Sequence, residues 1–247
     1  MHTYIGCSGW VYKDWKGTFY PSSLSEKNWL SYYSNIFETV EINSSFYHMP
    51  SESTLKSWYH KVPSHFKYAI KASRVITHLK RFKETRELIK IFYGFKDILS
   101  EKLEYFLFQL PPTYFYTPEA LDRLISSLDP RYKNVIEFRH DSWWQEEVFK
   151  IFERQDILFC SVKGLNLPDS LILMNGKFYV RLHGESSPNY FFYRYSRSEL
   201  SGIVQTLQAV RERLKEGWIY FNNDAHGNAP ANARELKELF QQQKSFF

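Results

Sequence analysis

Eight times along the chain a short apolar, β-branched or aromatic run stops abruptly in polar residues. The runs are Ile5 to Gly9, Val40 to Ser44, Tyr68 to Ser73, Phe106 to Gln109, Val135 to His140, Leu158 to Ser161, Tyr179 to His183 and Ile219 to Asp224. Helix-like segments lie between most of them. Strands that alternate with helices pack into a parallel sheet covered on its outer face. Eight such units in 247 residues match an α/β, TIM-like (β/α)8 barrel, read here as a single domain over 1–247. In that architecture chemistry collects where the strands end, which is where the charges of this chain stand.

Composition narrows the classes. No apolar stretch approaches the roughly 20 residues of a membrane span, and the first residues enter a strand without a charged region and signal core. The expectation is a cytoplasmic protein with no membrane partner. Cys7 and Cys160, the two cysteines, both fall inside predicted strands, which suits buried free thiols better than a disulfide framework. A net charge of +5 and a pI near 9.0 admit anionic partners without requiring nucleic acid. Aromatic residues make up 19% of the chain, enough to line both core and mouth with rings.

Local signals place the elements. After the first strand, the segment from Gly9 to Ser25 carries Trp10, Trp15 and Pro21 and is long enough to cover a site, with a helix from Glu26 to Asn35. Ser51 opens a helix bearing Leu55 and Trp58, and a long helix is expected from about Glu84 to Ser100. Pro111 and Pro112 end the fourth strand, while Thr117 with Pro118 starts the next helix. Gly184 to Ser196 is rich in rings and reads as a lid or wall, followed by a helix from Ser198 to Lys215. Asn228 with Pro230 reads as the cap of the last helix.

Side chains two apart on a strand share a face. Glu41 with Asn43, Glu137 with Arg139 and Arg181 with His183 therefore point inward, while Ile42, Phe138 and Leu182 face the helices. Lys71 and Gln109 fall at equivalent strand ends. Such a set holds two carboxylates to move protons and three cations to bind an anion. The turn at Asn228 adds backbone N–H groups in the position where barrels hold phosphate.

Each assignment has a structural counterpart. Glu41 and Glu137 can serve only to neutralise Arg139 and Arg181, and His183 can be a hydrogen-bonded core residue. Trp10, Trp15, Trp143 and Trp144 are wall packing or a stacking platform. Cys7 carries no sign of activation, and the basic run from Arg74 to Lys83 is a solvated surface or a phosphate contact. No cofactor is predicted. A divalent metal remains possible, with Glu41, Glu137, His183, Asp224 and His226 as ligand types, although no tight ligand spacing supports it.

Several of these segments resemble the DUF72 (YecE-like) family. They are Ile5-Gly6-Cys7-Ser8-Gly9-Trp10, Glu41-Ile42-Asn43-Ser44-Ser45-Phe46-Tyr47, Lys71-Ala72-Ser73 with Ile76-Thr77-His78, and Gln109-Leu110-Pro111-Pro112. Glu137-Phe138-Arg139-His140 with Trp143, Arg181-Leu182-His183-Gly184, and Phe221-Asn222-Asn223 with Asn232-Ala233 complete the set, which spans nearly the whole chain. The resemblance implies a bacterial TIM-like barrel whose architecture is similar to sugar-phosphate isomerases and endonuclease IV-like repair enzymes, an analogy of fold. Cys7 stands where the family's pattern has threonine, which argues against thiol chemistry.

The expected function is acid–base catalysis on a small anionic ligand, phosphorylated or carboxylated. Glu41, Glu137 and His183 would be catalytic; Trp10, Asn43, Lys71, Gln109, Arg139, Trp143, Arg181, Asn222 and Asn223 would bind substrate. The alternative is a nucleic-acid-binding protein or a metal-dependent nuclease that uses the basic loop and the tryptophans.

Overall fold

The computed structural model describes residues 2–184 and 190–244. Its strands are β1 (His2–Cys7), β2 (Thr39–Ile42), β3 (Lys67–Lys71), β4 (Leu103–Gln109), β5 (Asn134–Glu137), β6 (Leu158–Gly164), β7 (Lys177–Gly184) and β8 (Glu216–Phe221). All eight coincide with the polar-ended runs. The helices are α1 (Trp29–Ser34), α2 (Glu52–Lys61), α3 (Arg86–Tyr93), α4 (Phe95–Leu99), α5 (Pro118–Ser127), α6 (Glu146–Arg154), α7 (Arg197–Ala209) and α8 (Asn228–Lys244). The sheet order is β1-β8-β7-β6-β5-β4-β3-β2, the parallel α/β order of a TIM-like barrel.

Start signals act as their chemistry requires. Ser51 Oγ accepts from the Thr54 N–H, Thr117 accepts from the Ala120 N–H with Pro118 at the first helical position, and Ser196 forms a reciprocal capping box with Glu199. Three expected helices are shorter than their apolar pattern. The stretch from Glu84 to Ser100 is divided at Gly94 into α3 and α4, where the entropy cost of glycine weakens the helix. The segment from Glu26 begins as a 3-10 turn before α1. Past Ala209, α7 gives way to a 3-10 turn at Arg211–Arg213.

The chain divides into two compact units. The first comprises Met1–Val40, Ser161–Leu171 and Gly176–Phe247, and the second Glu41–Cys160 and Ile172–Asn175.

In the first unit β8 pairs in parallel with both β1 and β7, with Phe221 opposite Cys7 on one side and Leu182 on the other. Gly6 is required where it stands, because a Cβ there would overlap the Thr39 carbonyl. Tyr33 accepts from the Cys7 N–H at 2.8 Å and donates to that same carbonyl at 3.0 Å. The segment after β1 packs inward rather than standing free: Trp15 is fully buried and donates to the Asp224 carbonyl at 2.6 Å. Residues 165–176, between β6 and β7, form no helix. Near them lies a cavity of about 320 Å³ whose lining includes Val162, Phe178, Val180, Leu182 and Ile203 of α7.

The second unit carries the β3-β4-β5 ladder, with Gln109 opposite Glu137 in register. Ile70, Phe106, Phe108 and Ile136 are fully or almost fully buried. Burial of such side chains from water supplies most of the folding drive, about 1.5–3 kcal/mol each. Phe138 follows β5 on the outward pleat and stacks on Trp143 with ring centroids 4.0 Å apart.

Candidate functional site

The second unit gathers the larger part of the expected site at the ends of β2 to β5. Glu41 in β2, Lys71 closing β3, Gln109 closing β4 and Glu137 closing β5 are all buried, with Asn43 just past β2. Arg139 turns back two residues beyond Glu137 and donates Nε–H to its Oε1. The ammonium of Lys71 lies 4.1 Å from the centroid of Phe46, a cation held over a ring face. Ser45, one residue before Phe46, donates its hydroxyl to the Lys71 carbonyl at 2.6 Å, which ties the turn after β2 to the end of β3.

A residue without an assigned role joins them. The basic segment after β3 contains a single π-helical turn, Val75–Leu79, preceded by Arg74. Such widened turns recur at functional sites because they re-aim side chains. His78 here is half-buried and meets the Phe46 ring edge-on at 5.0 Å. Burial pushes its pKa down, and the positive charges of Lys71, Arg139, Arg74 and Arg81 push it further, to about 4. Four cations thus act on one imidazole. Within this largely exposed basic run His78 is half-buried, and Ile76-Thr77-His78 is the segment that carries it.

The first unit holds the remainder. Arg181 and His183 are buried inward-facing residues of β7, and Asn222 follows β8. Arg181 donates to Asn222 Oδ1 at 3.4 Å, and Asn222 Nδ2 stands 2.9 Å from His183 Nδ1. Arginine cannot accept, so the amide must present its oxygen to Arg181 and its NH2 to the histidine. With that amide orientation His183 Nδ1 is the acceptor, so the ring hydrogen is on Nε2.

Other expected members are engaged in packing. Asn223 spends its amide hydrogens on the Tyr193 carbonyl, at 2.8 Å, and Asn232 Oδ1, at 3.0 Å. Trp143 is fully buried and donates to the Tyr114 carbonyl at 2.7 Å. Trp10 is 7% exposed, and its carbonyl accepts from Tyr20. The tryptophan readings as a stacking surface therefore give way to wall packing at these two positions. Burial, then the charge of Asp224, raises the Cys7 thiol well above its ordinary pKa, which disfavours a nucleophilic thiolate.

The anticipated wall from Gly184 to Ser196 lies partly outside the described residues. Of the remainder, Tyr195 accepts from the Gly184 N–H at 2.8 Å. Among the described residues no three His, Cys, Asp or Glu side chains converge to hold a metal ion. Among them also, no helix is long and apolar enough to cross a membrane.

The family model described as "Protein of unknown function DUF72" matches residues 4–246. The UPF0759 protein YunF of Bacillus subtilis (strain 168) is 26% identical, with 96% of this chain and 94% of that protein aligned. A crystal structure of a DUF72 family protein from Thermotoga maritima MSB8 superposes with a TM-score of 0.89 at 28% identity, covering 98% of this chain and all of the other. A DUF72 family protein from Enterococcus faecalis V583 shares the fold at a TM-score of 0.80 and 20% identity, with 97% of each chain covered. These likenesses establish the TIM-like α/β barrel.

Proposed function

We propose, from the premise that the chain belongs to the DUF72 family, that it is an enzyme of acid–base chemistry acting on a small phosphorylated or carboxylated molecule. The supporting observation is the placement of Lys71 4.1 Å over the Phe46 ring that also meets the half-buried His78 at 5.0 Å, with Arg139 held on Glu137 at the end of β5. Charges collected in a partly water-excluded place attract an anion more strongly than the same charges on an open surface. Lys71 and Arg139 bind the anion in this reading. Glu41 and Glu137 are the carboxylates available for proton transfer, and Gln109 and Asn43 orient the ligand by hydrogen bonds.

Calorimetric titration of the full chain with inorganic phosphate, a phosphomonoester and a short dicarboxylate tests this reading. Uptake of at least one is expected, weakened by salt and about tenfold weaker in Lys71→Gln, a loss near 1.4 kcal/mol. A chain that takes up none of them at low salt lacks the proposed site.

A second reading is favoured by two exposed rings in the second unit. Tyr47 is 66% exposed beside Phe46, and Phe115 is 56% exposed against His140. With Arg74 and Arg81 they suit stacking and phosphate contact by single-stranded nucleic acid. This predicts oligonucleotide affinity that falls steeply with salt and is lost in Tyr47→Ala; salt-independent affinity argues against it.

A further inference from the structure

Resting on the anion-binding reading above, we infer that His78 is the base of this site, taking a proton at Nε2 from the bound anion while Nδ1 stays anchored to the chain. The anchor is a short relay. Thr77 Oγ1 lies 2.9 Å from His78 Nδ1 and 3.4 Å from the Ser73 carbonyl. A carbonyl only accepts and a hydroxyl has one hydrogen, so when Thr77 donates to Ser73 it must accept from His78 Nδ1–H. The ring's lone pair is then on Nε2.

Two pieces of local structure aim the ring. The π-helical turn Val75–Leu79 carries Thr77 and His78 out of ordinary helical phase, and Ser73 Oγ accepts from the Val75 N–H at its start. Phe46 receives the edge of His78 at 5.0 Å and carries the Lys71 ammonium 4.1 Å from its centroid, so the base and the nearest cation share one wall. The charged groups acting on His78 are Lys71 from the end of β3, Arg139 from beyond β5, and Arg74 and Arg81 from its own segment. Glu137 bonds Arg139, and Lys80 pairs with Glu84 at 3.9 Å.

The step moves one proton. A C–H or O–H bond of the substrate breaks, its electron pair stays on the substrate, and an Nε2–H bond forms to give an imidazolium still bonded to Thr77. The cations that disfavour this imidazolium in the free protein are neutralised when the anion binds. Anion binding therefore raises the proton affinity of His78 and turns the base on only when substrate is present. Charge compensation of this kind ties catalysis to occupancy without any movement of the chain.

The test is nitrogen and carbon NMR of the histidine rings in the full chain, titrated with pH with and without inorganic phosphate, while calorimetry on the same sample reports phosphate binding. The expected result is His78 protonated on Nδ1 alone at neutral pH, with a low titration midpoint that rises when phosphate binds. Lys71→Gln should raise the phosphate-free midpoint, and Thr77→Val should release the tautomer. If phosphate binds while the His78 midpoint stays fixed, or if Nδ1 is the bare nitrogen, the assignment of the base is overturned and the anion site stands. If phosphate, a phosphomonoester and a short dicarboxylate all fail to bind, the anion reading falls and takes the base with it.

Discussion

Asn222 Nδ2 lies 2.9 Å from His183 Nδ1, and the Oδ1 of the same amide faces Arg181. One side chain therefore passes the constraint of an obligate donor to the tautomer of a histidine. Asn222→Asp replaces the NH2 by an acceptor, so the ring proton should move to Nδ1 to meet it. Nitrogen chemical shifts of the His183 ring should exchange their Nδ1 and Nε2 patterns between the two proteins. Unchanged shifts would mean that another group sets the tautomer.

Gly6→Ala tests the approach of β1 to the Thr39 carbonyl. The added methyl would meet that carbonyl and the Tyr33 hydroxyl, which is itself held at both Cys7 and Thr39. Neither neighbour is the far end of a flexible chain. Overpacking of this kind costs about 1–3 kcal/mol, and the rigid backbone partner places the expectation at the upper end. The denaturation midpoint should fall accordingly, with little change in m-value.

His78 should also make stability depend on pH. Its folded pKa, about 4, lies below the ordinary 6.5, so between these values the unfolded chain binds more protons than the folded one. Its contribution is then present above pH 6.5 and is lost as pH falls towards 4. Wild type should lose stability over that window more steeply than His78→Gln. Parallel curves from denaturant midpoints at several pH values would count against a depressed His78.

The strand ends were legible because burial and charge change within one or two residues, as at Ile136-Glu137 and Leu182-His183, and few other local structures produce that edge. Caps were legible for the same local reason: Ser51 and Thr117 each satisfy an amide three residues on. Side-chain commitments that cross the chain were not. Trp143 reads as a mouth residue until its N–H is seen to serve Tyr114, 29 positions away. His78 lies in a run of cations that resembles a solvated surface, and only the turn geometry after β3 and the contact with Phe46 set it apart.

Arg139 and Glu137 give the clearest energetic prediction. Glu137 is fully buried, and Arg139, whose side chain is 16% exposed, donates to it. Removing one partner of a buried ion pair weakens the compensation of the charge that stays buried, at a cost of up to about 3–5 kcal/mol. Arg139→Met should therefore be strongly destabilised at pH 7. The loss should shrink as pH falls, because the variant can relieve its buried carboxylate by protonating it. Arg139→Met combined with Glu137→Gln should recover part of the stability, since the buried charge is gone, yet should not recover phosphate affinity if Arg139 binds the anion. Denaturant midpoints across pH, read beside phosphate calorimetry, separate these roles. A double variant that regains both stability and affinity would leave Arg139 with a structural role alone.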